Sequence, residues 1–217
     1  MSTSAIELPL FPLNVVLFPG TVRPLHIFEP RYRQMVKDCQ RDSKPFGLVL
    51  AKPDSEHLHE EPYPIGTMAR IHNLISLEDG GYNLMAVGTK RFRIISQHRE
   101  RPYLSGFVEP FEDIAEPGEE LVEYGKQARS LFSNYLNLLL EAVNQQDLDT
   151  NLPNIPEDLS HFIAYFLEVD DEQKQHYLEL NSTLQRLQAE IAILRREIPF
   201  MRQILFKKLP EEQSRLN

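Results

Sequence analysis

Three prolines punctuate the apolar run at residues 7–20, ELPLFPLNVVLFPG, and this run limits the fold more than any other stretch of the chain. Only two of its residues are polar, so it belongs against a core or a partner. Proline fixes φ and lacks the backbone N–H, so Pro9, Pro12 and Pro19 exclude a regular helix here. The residue before each proline is also pushed towards extended conformations. The run is therefore predicted to be extended chain.

The same rules place individual elements within the run. Leu8-Pro9 and Phe11-Pro12 are predicted to be extended segments at strand edges. Residues 14–18 are predicted to form a short buried strand, which the turn signal Pro19-Gly20 closes. Most of the run is expected to lie in a core, with the prolines protecting strand edges against intermolecular pairing.

The run is not expected to be a signal peptide or a membrane anchor. A signal peptide begins with a positively charged region, and this chain has no Lys or Arg before Arg23. No window reaches the roughly 18 uninterrupted apolar residues that a membrane span needs. We therefore expect the run to belong to the folded protein and expect no membrane partner.

Charge and cysteine content narrow the function classes. The formal net charge is -9, which argues against a nonspecific nucleic-acid binder and against adhesion to anionic membranes. The single cysteine, Cys39, can form no internal disulfide and no cysteine-based zinc site. A reducing compartment, and hence a cytoplasmic location, is the expectation.

The first half of the chain is predicted to be mostly β-structure. Asp79-Gly80-Gly81 is a strong hairpin turn signal between two long runs of alternating hydrophobicity. Gly88 lies within the second of these runs and is predicted to mark a bulge or bend. Many bends favour a small barrel over an open sheet. The predicted strands of this part cover residues 46–50, 67–77, 82–96 and 103–111.

One helix is predicted within this β-rich half, starting at Pro30, because proline suits a first helical position. Tyr32, Met35, Val36 and Cys39 then recur at helical spacing on one face. Cys39 is therefore predicted to be a small core residue, not a nucleophile.

An acidic Pro/Gly segment at residues 112–120 separates this half from a helical remainder. Pro156 is predicted to start a helix with acidic residues in its first turn, and a short helix is predicted from Asp170. Residues 182–185, Ser-Thr-Leu-Gln, form a capping-box pattern at the start of the last helix. The apolar face of the first helix of this part is predicted to carry Leu121, Ala128, Phe132, Tyr135 and Leu139.

The last predicted helix carries a heptad seam of about three repeats. A seam this short is more often packed inside its own bundle than used for oligomerisation, so a monomer or weak homodimer is expected. Pro199 lies within the seam and is predicted to bend the helix or end its regular part. The seam residues are Leu184, Leu187, Ile191, Leu194, Ile198, Met201 and Leu205.

Catalytic signatures are missing from the sequence: it has no GxxxxGK[ST], GxGxxG, GxSxG or HExxH motif. His57-Leu58-His59-Glu60-Glu61 could bind a metal, but no third histidine lies nearby in the sequence. A solvated loop is the favoured interpretation of that segment, and no metal or cofactor is predicted.

Two polar clusters remain as candidate binding features. Around Phe92, strand alternation is predicted to point Arg91 and Arg93 outwards, where they could contact RNA phosphates or an acidic peptide. The solvent-exposed face of a half-buried strand is the favoured reading of this cluster, which contains Lys90, Arg91, Arg93, Arg99 and Arg101.

The second cluster lies at the start of the predicted helix, where Glu29, Arg31 and Arg33 stand beside Phe28 and Tyr32. These residues form either a helix cap with surface ion pairs or the polar rim of an apolar groove. The pattern leaves both interpretations open.

Taken in chain order, five motifs resemble the N-terminal, substrate-binding domain of Lon proteases. They are LPLFPLNVVLFPG at 8–20 with PLHIFEPRYR at 24–33, IGTMARI at 65–71, EDG at 78–80, VGTKRFRI at 87–94 and PYL at 102–104. The likeness covers nearly the whole chain and is weaker after Glu116. The form PLHIFEPRYR at 24–33 is common in stand-alone Lon-domain proteins.

The resemblance implies an α+β fold, namely a PUA-like β pseudo-barrel with one inserted helix, followed by an α-helical bundle. The corresponding domains are residues 1–115 and 116–217. It further implies a non-catalytic module that binds unfolded or apolar polypeptide segments in proteolysis or protein quality control, with a protease or chaperone as a further partner. The expected peptide-binding residues are Phe18, Phe28 and Tyr32, with Glu29 and Arg31 as the rim.

Part of residues 7–20 is then expected to stay exposed, because a module that binds unfolded chains needs apolar surface. Lon proteases continue into an ATPase module and a Ser-Lys protease domain, and the sequence to Asn217 contains neither. We therefore expect no ATP hydrolysis and no peptide cleavage. RNA binding by a PUA-like barrel, and a structural role in dimerisation, are the alternatives.

Overall fold

The structure is a computed structural model that describes residues 5–53, 61–143 and 151–213. His57 and His59 of the candidate metal segment lie outside these ranges. Within them, no helix is long and apolar enough to cross a membrane. The described elements, in chain order, are β1 (Ile6–Leu13), β2 (Val22–Ile27), α1 (Pro30–Arg41), β3 (Phe46–Leu50), β4 (Ile65–Ser76), β5 (Tyr82–His98), β6 (Ser105–Pro110), α2 (Gly118–Ala142), α3 (Pro156–Phe166), α4 (Asp171–Glu179) and α5 (Thr183–Gln213).

The six strands form one sheet that closes on itself. Their order is β2-β5-β4-β3-β1-β6, and an additional pairing of β5 with β6 completes the ring. Closure is possible because β5 has 17 residues. Its first part pairs with β2 and its last part with β6. The α+β prediction with a small barrel is confirmed, and β2 lies outside the ring as an added edge strand.

Strand β1 corrects the prediction made for the opening run. Residues 14–18 form no strand, and the strand is Ile6–Leu13, which contains Pro9 and Pro12. It is not an edge strand, because residues 6–9 pair with β6 and residues 10–13 pair in parallel with β3.

The two prolines of β1 cost no ladder hydrogen bonds. The N–H of Leu10 donates to Leu104 O, which places even-numbered backbone groups on the β6 side. The nitrogen of Pro9 therefore faces the β3 side, at a position before the β1–β3 pairing begins. The nitrogen of Pro12 faces the β6 side, at a position after the β1–β6 pairing ends. Prolines are tolerated in a central strand because β1 changes partners between them.

Residues 16–18 are buried without being a strand, whereas Asn14 is exposed and Val15 is half-buried. Two of the buried carbonyl groups are bound by side chains, since Thr67 Oγ1 donates to Leu17 O over 2.6 Å and Thr21 Oγ1 donates to Phe18 O over 2.8 Å. A buried backbone carbonyl needs a partner, and two threonine hydroxyls supply it in place of a ladder. The predicted burial was right for residues 16–18 and wrong for Asn14, and the predicted strand conformation was wrong.

Helix α1 packs on the barrel as its spacing predicts. It begins at Pro30 and buries Tyr32, Met35, Val36 and Cys39. These side chains join a core cluster with residues of β1, β2, β3, β4 and β5. Burial raises the pKa of the Cys39 thiol to about 12, so the thiol stays neutral.

The predicted hairpin is confirmed as β4 and β5. The turn is fixed by the N–H of Gly81, which donates to Asp79 Oδ1 over 2.9 Å, and Gly80 adopts φ +79°. A bulge follows Gly88, because Ala69 pairs with Gly88 while Thr67 pairs with Arg91. A Cβ at Gly88 would lie 2.3 Å from Phe18 O, which explains the need for glycine.

The chain divides into two compact units. The first comprises residues 1–114 and 164–181, and the second comprises residues 115–163 and 182–217. The first therefore holds the barrel together with α4, and the division falls within α3. The two-domain assignment at residues 115 and 116 stays a prediction.

The second unit contains α2, most of α3 and α5. Helices α2 and α5 contact each other, and Ala128, Phe132 and Tyr135 of α2 are buried as predicted. The heptad seam packs inside the unit, where four of its residues are almost inaccessible: Leu187, Ile191, Leu194 and Ile198. Helix α5 runs through Pro199, so the proline does not end it.

The start of α5 has the predicted serine cap. Ser182 Oγ accepts from the N–H of Gln185 over 3.0 Å. The Glu116 carboxylate extends this cap, because it accepts from Ser182 Oγ over 2.5 Å and from the N–H of Leu184 over 3.0 Å. An acidic group at a helix N-terminus is also favoured by the helix dipole.

Candidate functional site

The side of the barrel formed by β2, β5 and β4 presents a row of side chains away from the core. Residues directly opposite each other in paired strands share a face, so the strand registers define this surface. We call it the outer sheet face. Its residues are Val22, Pro24 and His26 of β2, Asn83, Met85 and Val87 of β5, and Arg70, His72 and Ile75 of β4.

The alternate residues of the same strands face inwards. Ile27, Leu84 and Ala86 belong to the core cluster, and Leu25 and Ile71 pack against it. A strand that buries one set of alternate side chains normally exposes polar residues on the other. Here the exposed set is largely apolar.

Four apolar side chains are well exposed on or beside this face. Val22 is 43% exposed, Met85 37%, Ile75 59% and Phe28, immediately after β2, 63%. Phe28 stacks on His26 with ring centroids 5.9 Å apart. Exposed apolar groups that cluster in this way mark binding surfaces more often than isolated ones.

Polar groups fix the geometry of this face. His26 Nδ1 hydrogen-bonds with Asn83 Oδ1 over 2.8 Å across the β2–β5 pair. Arg33 at the start of α1 donates from Nη1 to Asp79 O over 3.2 Å, which ties the helix to the β4–β5 turn. The face is therefore held by contacts from both the strands and α1.

Strand β2 has one edge that pairs with no strand in the described part of the chain. The N–H of Gly88 donates to Thr21 O, so alternation turns the backbone groups of Val22, Pro24 and His26 away from β5. Val22 O accepts from the Tyr165 hydroxyl over 3.1 Å. Pro24 has no donor, which is typical of an edge strand that resists pairing.

Three of the five predicted binding residues lie beside the outer sheet face. Phe28 is exposed, and the Arg31 guanidinium donates from Nε to Glu29 Oε2 over 2.8 Å. Both charged side chains of this pair are partly exposed. The sequence left open a surface ion pair or the polar rim of an apolar groove at this position. The structure contains the ion pair, and an apolar surface lies next to it.

The other two predicted residues offer no side-chain surface to a ligand. Phe18 is 0% exposed and Tyr32 is 4% exposed, since both face the barrel core. Tyr32 packs against Phe11 with ring centroids 4.2 Å apart, and the Arg31 guanidinium lies over its ring. We therefore no longer expect either side chain to contact a peptide directly. Burying an aromatic ring in the core stabilises the fold, and exposing it to reach a ligand would lose that stabilisation.

Sequence reasoning missed the apolar members of the outer sheet face. Val22, Pro24, Met85 and Ile75 lie on three strands, and only their pairing brings them together. The available signal was Met85, an apolar residue on the solvent-facing side of an alternating strand. Pairing between β2 and β5 has no local sequence signature.

The basic cluster differs from its prediction at Arg91. Arg93 is exposed, as predicted, and lies 3.5 Å from Glu109. Arg91 is buried instead, with its side chain 2% exposed, and it forms an ion pair with Asp113. The predicted direction holds, since Arg91 and Arg93 both lie over the Phe111 ring. Arg91 is buried because Asp113 and the carbonyl groups at the end of α4 cover its guanidinium group. The cluster that motivated the RNA alternative thereby loses one cation.

No cluster of three or more His, Cys, Asp or Glu side chains in the described ranges is arranged to hold a metal ion. Cys39 is buried and neutral, with its pKa at about 12. The described surface thus offers apolar contact and a charged rim, and this chemistry suits a binding site.

Fold and surface together define a closed β-barrel that carries an exposed apolar sheet face. Residues 7–196 match the model of the ATP-dependent protease La (Lon) substrate-binding domain. The chain belongs to this family. The family match is to a substrate-binding domain and not to a catalytic domain.

The chain is similar to the corresponding part of full-length Lon proteases. It is 30% identical to Lon protease 2 of Myxococcus xanthus over 197 residues, covering 88% of this chain and 24% of that protein. It is 29% identical to Lon protease of Anaeromyxobacter dehalogenans, covering 88% of this chain and 23% of that protein. The chain thus spans about a quarter of the length of these curated relatives.

Solved structures agree on the fold. The Lon N-terminal domain protein from Xanthomonas campestris superposes with a TM-score of 0.64 at 28% identity, covering 86% of this chain and 98% of that one. The N-terminal domain of Lon protease from the Mycobacterium avium complex also gives 0.64, at 19% identity, covering 88% and 98%. At that identity the second likeness shows the fold alone.

Proposed function

We propose that this protein binds unfolded or apolar polypeptide segments on its outer sheet face. The observation that carries the proposal is the group of exposed apolar side chains on β2, β4 and β5, joined by Phe28. Membership of a substrate-binding domain family supports it. Each apolar side chain that a bound segment covers would contribute about 1 kcal/mol to binding.

Recognition is proposed to rest on side-chain contact more than on an added strand. Strand addition uses free backbone donors and acceptors along an edge. On β2 that edge lacks the Pro24 donor, and Val22 O is already bound by Tyr165. Glu29 and Arg31 form the charged rim beside Phe28, where they would discriminate among the residues that flank an apolar segment.

The module is proposed to act without catalysis, by presenting bound segments to a protease or chaperone. The matching relatives are Lon proteases, of which this chain covers about a quarter. Proteolytic quality control is therefore the proposed context. Transfer of a bound segment requires moderate affinity, which a shallow apolar face with few hydrogen bonds provides.

Fluorescence anisotropy of a labelled, permanently unfolded polypeptide tests the proposal, with a folded form of the same polypeptide as control. The proposal expects selective binding of the unfolded form. Phe28→Ala combined with Met85→Ser should weaken binding about tenfold, because two exposed apolar contacts are lost.

A matched control variant lies elsewhere on the barrel. Phe107 is also an exposed phenylalanine next to a histidine, since its ring contacts His98 at 5.3 Å, and Ile95 is an exposed aliphatic residue. Phe107→Ala with Ile95→Ser removes similar apolar surface and should leave binding within about twofold. Equal loss in both double variants, or equal binding of folded and unfolded polypeptide, would refute the outer sheet face as the site.

A further inference from the structure

A cavity of about 330 Å³ opens between the end of α1, the start of β3 and strand β4. It shares only Arg70 with the outer sheet face and belongs to the same barrel unit. Its volume lies at the lower end of the range for small-molecule sites. The residues that line it are Cys39, Gln40, Ser43, Lys44, Pro45, Arg70, Ile71 and Leu74.

The strand pairing explains why space remains here. Strand β3 pairs with β4 only at Thr67, Met68 and Ala69, although β4 continues to Ser76. The connection from α1 to β3 turns sharply, with Ser43 at φ 51°. The barrel wall is therefore open beside residues 70–74 of β4, among the residues that the structure describes.

The mouth of the cavity is positively charged. Lys44 and Arg70 both line it, and none of its other lining residues carries a charge. This is notable in a chain with a formal net charge of -9. A site with two cations and no carboxylate in its wall favours an anionic ligand.

One carboxylate that interacts with Lys44, that of Asp42, is already bound. Asp42 accepts from Arg41 Nε over 2.9 Å and from Arg41 Nη2 over 3.3 Å. These hydrogen bonds hold the pKa of Asp42 below its usual value, with Lys44 a minor contributor. Because Arg41 compensates Asp42, the Lys44 charge remains available to a ligand.

The C-terminal end of α1 opposes anion binding, and its caps reduce that effect. Helix carbonyls carry partial negative charge at this end. The N–H of Ser43 donates to Gln40 O over 3.2 Å, and the N–H of Lys44 donates to Cys39 O over 2.9 Å. These hydrogen bonds partly offset the negative partial charge of the two carbonyl groups, which weakens their repulsion of an anion.

The inner walls of the cavity are apolar. Ile71 and Leu74 pack against the barrel core, and Pro45 adds a further apolar surface. The Cys39 thiol is neutral and presents no charge. Gln40 and Ser43 supply hydrogen-bonding groups at the mouth. The cavity thus has positive charge at its entrance and apolar walls inside. This combination suits an amphipathic anion.

We propose that this cavity binds a carboxylate carried on a short apolar group. Lys44 and Arg70 pair with the carboxylate, while Ile71, Leu74 and Pro45 contact the apolar group. Two sources share this chemistry: a small aliphatic acid, and the free C-terminal carboxylate of a polypeptide that ends in an apolar residue. The proposal stands apart from polypeptide binding on the outer sheet face, because its key cation Lys44 is not part of that face.

Isothermal titration calorimetry of the full chain tests the site with four probes. These are hexanoate, hexanol, an N-acetylated peptide ending in leucine with a free carboxylate, and the same peptide amidated. Binding of hexanoate or the free-acid peptide, with at least about tenfold weaker binding of the uncharged counterpart, supports the site. Whichever of the two acids binds identifies the source.

Charge variants locate the site. Lys44→Gln with Arg70→Gln should weaken acid binding about tenfold and flatten its salt dependence. Lys37→Gln with Arg99→Gln changes the net charge equally at exposed positions outside the lining and should leave affinity within about twofold. Gln40→Trp fills the mouth from an exposed helix position and should reduce acid binding without removing charge.

Several outcomes would overturn the proposal. They are no binding of either acid, equal binding of acids and uncharged counterparts, and equal effects of the two charge-variant pairs. Binding of the unfolded polypeptide to the Lys44→Gln variant is measured in parallel. Its retention when acid binding is lost shows that the two sites are separate, and its loss together with acid binding shows that they are one.

Discussion

The barrel unit and the helical unit each bury an arginine, and the acidic groups close to the two arginines differ. Arg91 of β5 pairs with Asp113 and also donates from Nη1 to Leu178 O over 2.7 Å and to Leu180 O over 2.6 Å. Arg186 of α5 donates from Nε to Ser160 Oγ over 2.7 Å and from Nη2 to Thr183 Oγ1 over 3.1 Å.

The partners of Arg91 are distant in sequence. Asp113 precedes α2, and Leu178 and Leu180 lie at the C-terminal end of α4, where carbonyl groups lack helical partners. Arg91 therefore joins three segments of the barrel unit and caps a helix. A cation at a helix C-terminus is also favoured by the helix dipole.

Two partners of Arg186 are the hydroxyl groups of Ser160 and Thr183, and a buried carboxyl group lies nearby. Glu190 lies one helical turn further along α5 and is fully buried. Burial raises its pKa well above 4.5, and the attraction of Arg186 offsets this only in part. The comparison teaches that a buried arginine can bind a carboxylate, and that it can bind hydroxyl groups beside a protonated acid.

The largest expected effect is that of Arg91→Met. It leaves a buried carboxylate without its ion pair and two carbonyls without their donor, which should lower the free energy of unfolding by about 3–5 kcal/mol. Urea denaturation of the variant measures this loss. Arg93→Met is the matched control, because exposed Arg93 should change stability by less than about 0.5 kcal/mol. Similar losses of stability in the two variants would show that the buried contacts of Arg91 do not stabilise the protein more than the exposed contacts of Arg93.

Arg186→Met should have an intermediate effect. It removes hydrogen bonds to Ser160 and Thr183 but leaves a carboxyl group that can remain protonated, so the expected loss is about 1–3 kcal/mol. Thermal and urea unfolding measure the loss, with Arg195→Met at an exposed position of α5 as control. A loss equal to that of Arg91→Met would contradict the proposed difference between the two arginines.

Ser160→Ala should cost less than the loss of the whole arginine. It removes the acceptor for Arg186 Nε and a hydrogen bond to Glu157 O of 2.9 Å, for an expected loss of about 1 kcal/mol. Double-mutant analysis with Arg186→Met separates the pair from the background. Strictly additive effects would mean that the 2.7 Å contact contributes no coupling.

Glu190→Gln should stabilise the protein, with a size that depends on pH. The raised pKa keeps the folded carboxyl group protonated above pH 4.5, where the unfolded group is ionised, so unfolding releases a proton. This contribution to stability is complete below about pH 4.5 and is lost as pH rises through the raised folded pKa.

The glutamine variant, which stays neutral, should lack that decline. Urea unfolding at about pH 4.5, 6 and 7.5 should therefore show a difference between variant and parent that grows with pH. A constant difference across these pH values would show that Glu190 is ionised in the folded state. Glu197→Gln, at a more exposed position of α5, is the control.

Local patterns were enough to predict several elements. The face of α1 follows from helical spacing at Tyr32, Met35, Val36 and Cys39, and β3 follows from an uninterrupted apolar run. The β4–β5 hairpin follows from Asp79-Gly80-Gly81. Each of these patterns involves residues that are close together in the sequence. The elements could therefore be predicted without knowing which distant segments they pack against.

The candidate site was predicted only in part, and Phe18 and Phe28 show why. Both are phenylalanines in apolar, proline-containing segments near the start of the chain, and both were expected to contact a bound peptide, although Phe18 also ended a strand predicted to be buried. One is buried in the barrel and the other is exposed beside β2. Their difference depends on which strands close around each ring, and residues far away in sequence decide that.

The sequence by itself determined the types of element, their order, the helix caps and the family. These depend on proline, glycine and hydrophobic spacing, which act over a few residues. Only the tertiary structure decided that β1 accepts its prolines, that Asp113 and the end of α4 cover Arg91, and that Val22, Met85 and Ile75 share one exposed face. The physical reason is that strand register and ring closure are set by pairing between distant segments, and a one-residue shift in register reverses which side chains face the core.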